Sequence, residues 1–164
     1  MSSPSVQRRK NKNASQGQLW KDWKNNGGIC QIPRQVLMSE DYISLNHASV
    51  RVLMALVSQY NGANNGDLCA TQSEMAKHGI KSPDTLTRTL KELLQRGMIV
   101  KTRSGISGVN GHRLCTLYAL SWLAVDEIGK KFGSKWMTEI RGTKTALRLD
   151  FSKPHDGEFK YQTA

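Results

Sequence analysis

Between Thr71 and Gly97 the chain spells two helix starts and two helix stops in immediate succession, and few folds accommodate that spacing. Thr71 with Glu74 three residues on is a capping box, in which hydroxyl and carboxylate each take an N–H of the first turn. Met75 and Ala76 face inward, and Gly79 ends this helix because glycine adopts the left-handed conformation of a sharp stop. Ile80 fills the space between the helices. Ser82 caps the second helix, Pro83 suits its first position, and Asp84 sits near the positive helix end. Leu86, Leu90, Leu93 and Leu94 form its inward stripe, and Gly97 closes it.

The flanking segments supply the rest of a small domain. Residues 29–32 predict a short strand, and Pro33 opens a short helix through residue 39. A longer helix over 45–60, capped by Ser44 or Asn46, buries Leu45, Ala48, Val52, Leu53, Leu56 and Tyr60. Residues 61–67 are a turn-rich loop and 68–70 a very short strand. Residues 98–103 are β-prone, 114–120 form a second strand, and the glycine-rich stretch 104–113 between them is a hairpin loop. Trp122 and Leu123 pack back on the domain. This order defines an α+β fold, a winged helix-turn-helix with a three-helix core and a β-hairpin wing.

Three regions follow. Residues 1–28 are a disordered basic arm, too poor in apolar side chains to offset the entropy of ordering. Within it Leu19, Trp20 and Trp23 share one side of a helical turn, either folding back on the domain or serving as a docking peptide. Residues 29–124 are the winged-helix domain. Residues 125–164 are a C-terminal tail, partly ordered at most, in which Trp136, Met137 and Ile140 mark a short element and residues 146–151 alternate weakly.

The net charge of +11 is concentrated in the arm and the central domain, and residues 81–113 alone hold seven basic and two acidic groups. Such a face attracts phosphate by steering and counterion release. On a wheel of 100° per residue, Arg88 points away from the leucines, flanked by Asp84, Lys91, Glu92 and Gln95, with Thr85 to one side. Arg88 suits bidentate recognition of guanine, Thr85 and Gln95 bases or phosphates, and Lys91 a phosphate. Lys81, Ser82 and the unpaired N–H groups of the helix form an anion site for backbone phosphate. The wing offers Lys101, Arg103, His112 and Arg113 to a minor groove or its phosphates, and Arg8, Arg9, Lys10 and Lys12 of the arm track phosphates. A solvated amphipathic helix and a solvated hairpin tip are the structural alternatives.

Other chemistries find no footing. Cys30, Cys69 and Cys115 are odd in number and widely spaced, which suits buried thiols in a reducing cytoplasm rather than a disulfide framework. No histidine or cysteine spacing fits a metal, and no cofactor is expected. Gly105, Gly108 and Gly111 lie inside a hairpin, not between a strand and a helix as a nucleotide loop requires. No catalytic constellation is apparent, so the chain is expected not to be an enzyme. Neither a signal peptide nor a membrane span is expected.

The segments Ile32-Pro33 through Leu37, Leu45 to Leu56, Tyr60-Asn61-Gly62-Ala63-Asn64-Asn65-Gly66-Asp67, Lys81-Ser82-Pro83-Asp84-Thr85-Leu86-Thr87-Arg88, Leu90-Lys91-Glu92-Leu93-Leu94 and Leu117 to Trp122 resemble short winged-helix proteins of proteobacterial phages, plasmids and integrative elements. The resemblance spans roughly residues 29–127. More distantly, the arrangement is similar to the N-terminal origin-binding domain of phage replication protein O and of some plasmid replication initiators. It implies a double-stranded DNA-binding protein of a mobile element, acting in transcription regulation or as a DNA replication accessory. A homodimer and a host protein are the further partners to weigh. The rival expectation is a winged-helix interaction module that docks on a host protein or nucleoprotein complex. Single-stranded or RNA binding is disfavoured, because the hairpin shows no run of exposed aromatics.

Overall fold

The computed structural model describes residues 16–107, 113–126, 142–157 and 159, which fall into two compact units divided between residues 31 and 32. In the first unit, α1 spans residues 16–25, so the expected disordered arm is helical over this stretch. Gln18 Nε2 donates to Asp22 Oδ1 at 2.9 Å, one helical turn on. Asn26 closes the helix through its N–H and its side-chain amide, both donating to the Asp22 carbonyl. Gly27 and Gly28 follow at positive φ. Arg8, Arg9, Lys10 and Lys12 lie outside the described residues.

The second unit is α+β. Two single-turn helices, α2 (Arg34–Leu37) and α3 (Glu40–Ile43), open it, and the Ser39 hydroxyl accepts the Tyr42 N–H to cap α3. Residues 29–32 form no strand; Ile32 instead packs against the core. The long helix α4 (His47–Gln59) begins at Asn46, whose side chain accepts the Ser49 N–H. After the loop come β1 (Leu68–Cys69), α5 (Gln72–Lys77) and α6 (Pro83–Gln95). Thr71 caps α5 as expected, but Glu74 does not reach back; it pairs with Lys77 at 2.7 Å.

The strands β2 (Ile99–Arg103) and β5 (Leu117–Leu120) pair antiparallel, and β1 joins the other edge of β5, giving the order β1-β5-β2. A separate two-stranded pair, β3 (Ile106–Ser107) with β4 (Arg113–Leu114), extends the hairpin. Leu53 and Leu56 of α4 meet Met75, Leu93, Met98, Ile99 and Leu120 in a fully buried core. Asn65 ties the loop after α4 to the sheet. Its side chain accepts from Leu120 N at 2.7 Å and donates to the carbonyls of Leu120 and Ala124.

Of the expected C-terminal tail, the described residues 142–157 pack onto this unit. Ala146 bridges Ala124, Arg148 N donates to Ser121 O at 2.9 Å, and Phe151 is buried. The Arg148 guanidinium sits 4.1 Å over the Phe151 ring and donates to Asp41 Oδ2 at 2.7 Å and to the carbonyls of Arg96 and Lys153. The anchor is a polar side chain, which an apolar pattern cannot advertise. Trp136, Met137 and Ile140 lie outside the described residues. No described helix is long and apolar enough to cross a membrane.

Candidate functional site

The helix α6 is seated by one face and leaves the other open. Leu86 and Leu93 are buried, Leu90 and Leu94 pack partly against the core, and Thr89 is buried with them. Thr89 lies three residues after Leu86 and four before Leu93, so helical spacing places it on the same stripe. Glu92 does not join the outer set that the wheel assigns it. Its carboxylate accepts from Ser49 Oγ and from both the backbone N–H and the side-chain amide of Asn46. A negative charge is thereby held at the N-terminus of α4, where the helix dipole favours it, and is withdrawn from the outer face.

The outer face carries Asp84, Arg88, Lys91 and Gln95, all exposed, with Thr85 half-buried beside them. Lys81 and Ser82 are exposed at its N-terminal end, where Ser82 Oγ accepts the Thr85 N–H at 3.4 Å. The turn leading into α6 is pinned by Gln72, whose Nε2 donates to the carbonyls of Ile80 and Lys81 at 3.0 and 2.8 Å. The face thus presents the cations Lys81, Arg88 and Lys91 against the single carboxylate of Asp84. Such a surface can hold phosphates and offer donors to base edges.

One further cation stands at the turn. The Arg51 guanidinium of α4 lies against Gly79, where a Cβ would come within 2.8 Å of its Nη1. Gly79 has φ +84°, a conformation that favours glycine, while the exposed Arg51 side chain could shift to make room for a Cβ. Nothing local in the sequence links Arg51 to a turn so far along the chain.

The hairpin divides its predicted residues. Lys101 is exposed on β2. Arg103 is a correction: it is buried, and its Nη2 donates to the Cys115 carbonyl at 3.0 Å. Strict strand alternation would set Arg103 on the same outer side as Lys101. The pairing instead slips between Lys101 and Arg103, a bulge at Thr102 that turns Arg103 inward. The Thr102 hydroxyl donates to Gly66 O. Burial raises the pKa of the Asp67 carboxyl, and the nearby Arg103 charge works in the opposite direction. His112 lies outside the described residues, as does the side chain of Arg113.

The described C-terminal residues reach the C-terminal end of α6. Arg148 Nη1 donates to Arg96 O at 3.0 Å, and the His155 ring covers Gly97. The outer face is left uncovered by them. A cleft of about 420 Å³ is lined by Leu147 to Asp150 and Lys153 to Asp156, together with Phe159, and includes none of the predicted site residues. Among the described residues no group of histidine, cysteine or acidic side chains could hold a metal. The cysteines are not disulfide-bonded, and Cys30 is exposed rather than buried.

Comparison with protein-family models, with curated proteins and with solved structures finds no match.

Proposed function

We propose that this chain is a winged helix-turn-helix protein that binds double-stranded DNA sequence-specifically, without enzymatic activity. It would serve a mobile genetic element as a transcription regulator or replication accessory. The helix α6 is the reading element, and the β2–β5 hairpin is the wing. The observation that carries this reading is the division of α6. Its inner side and Glu92 hold it to α4 and the core, while Arg88, Lys91 and Gln95 stand exposed beside Lys81. Arg88 supplies base recognition. Lys81, Lys91, Lys101 and Arg51 supply phosphate contacts, and Arg103 leaves that set for a structural role.

A salt titration tests this. Duplexes selected from a random-sequence library are titrated with the protein and followed by fluorescence anisotropy. Affinity falls by orders of magnitude between roughly 50 and 200 mM salt if several phosphates are neutralised. No selectable duplex, or binding indifferent to salt, sinks the proposal. A second reading, docking on a host protein, is favoured by the apolar residues Met38, just after α2, and Ile43, at the end of α3, which are 70% and 67% exposed.

A further inference from the structure

The helix α1 carries Leu19, Trp20 and Trp23 at 54%, 50% and 62% exposure, which is unusual for indoles. At 100° per residue the three share one face; Lys24 borders it beside Trp20, Lys21 lies further round, and Asp22 borders it beside Leu19, accepting from Gln18. We propose that this face is a binding site for single-stranded polynucleotide, with Trp20 and Trp23 stacking on unpaired bases and Lys21 and Lys24 meeting the phosphates.

Three features of the face select this occupant. Its apolar stripe is a single turn long: one position further in each direction stand Gln16 and Gly27, so the i, i+3, i+4, i+7 anchors of a helix in a protein groove are missing. Two such faces from two copies would bury far less than the roughly 1,200 Å² of a stable interface. The net charge beside the indoles is cationic, Lys21 and Lys24 against Asp22, and continues upstream in sequence through Lys12, Lys10, Arg9 and Arg8, which complements a polyanion. Side chains at i and i+3 stand roughly 5–6 Å apart at Cβ. That exceeds the 3.4 Å rise of a stacked strand, so the pair suits splayed, unpaired bases. Indole stacking is tolerant of sequence because every base has a π-face.

The full chain and its W20A/W23A and K21A/K24A variants are titrated with oligo(dT), oligo(rU) and duplex DNA, by tryptophan quenching and anisotropy. Both tryptophans are exposed on a helix outside the core of the second unit, so their truncation leaves that core intact. The wild type binds one or both single strands with quenching, and the two strand arms show whether deoxyribose, ribose or either is accepted. W20A/W23A binds them roughly 30-fold or more weakly, with duplex affinity unchanged, and K21A/K24A shows a shallower salt dependence. No single-strand binding by the wild type, or full binding by W20A/W23A, overturns the proposal. So does a shift from dimer to monomer in W20A/W23A, which would make a second copy the occupant. Loss of duplex binding alone would count against the reading of α6 and leave this site standing.

Discussion

The Asp41 carboxylate and the Arg148 guanidinium meet at 2.7 Å across 107 residues of sequence, with side chains 2% and 7% exposed. Asp41 also accepts the His155 N–H at 2.9 Å. Arg148 also serves the carbonyls of Arg96, Asp150 and Lys153. One ion pair thus joins α3, the end of α6 and the C-terminal segment.

Removing Arg148 leaves the buried Asp41 carboxylate with only the His155 N–H and a more distant Arg96 guanidinium at 3.8 Å. Arg148→Ala is expected to cost about 2–4 kcal/mol of stability, below the full cost of an uncompensated buried charge because Arg96 remains beside Asp41, read from urea denaturation. A loss below about 1 kcal/mol would mean that the C-terminal segment contributes little to the fold.

His155 gives the fold a pH dependence. Burial is the main cause lowering its pKa from the ordinary histidine value, the Arg148 charge adds to this, and Asp156 and Asp41 oppose it. The unfolded chain therefore takes up this proton more readily than the folded one. Stability present above the unfolded value, about 6.5, is lost as pH falls from there through the lower folded value. The urea midpoint is expected to drop between pH 7.5 and 5.5, and His155→Phe should flatten that drop. An equal drop in the variant would assign it to another group.

Arg88→Ala is expected to weaken specific duplex binding by about 1–3 kcal/mol and to relax one base position. Lys101→Ala should weaken all duplexes alike and reduce the salt slope by about one. Competition anisotropy against single-base variants of the selected duplex separates the two. Wild-type affinity and selectivity in Arg88→Ala would remove α6 as the reading element.

Arg103→Ala should act on folding. The variant leaves the Cys115 carbonyl without its guanidinium donor, at an expected cost of about 1–3 kcal/mol. Thermal unfolding measures this. Unchanged stability together with weakened duplex binding would return Arg103 to the contact surface.

The elements with local punctuation were legible. Thr71, Gly79, Ser82, Pro83 and Gly97 fix α5, α6 and the turn between them through chemistry confined to a few neighbours, and α6 follows its leucines. What escaped were relations set by distant partners. Glu92 looks solvated on a wheel until Asn46 and Ser49 arrive from α4. Arg103 looks exposed until a bulge breaks the alternation. Asn65 sits in a stretch whose composition says only turn, yet it holds β5 by three hydrogen bonds. The C-terminal segment was hidden because Arg148, a residue type rarely buried, is its anchor. Of the predicted outer face, Asp84, Arg88, Lys91 and Gln95 stand where the helical period placed them.

The clasp of Glu92 on Asn46 and Ser49 fixes the rotation of α6 about its own axis using none of the residues turned outward. Scaffold and lettering are thereby uncoupled. Positions 88, 91 and 95 can be rewritten, one by one or together, while the frame that displays them keeps its shape; under the proposal that α6 reads DNA, new preferences would then need no fresh fold.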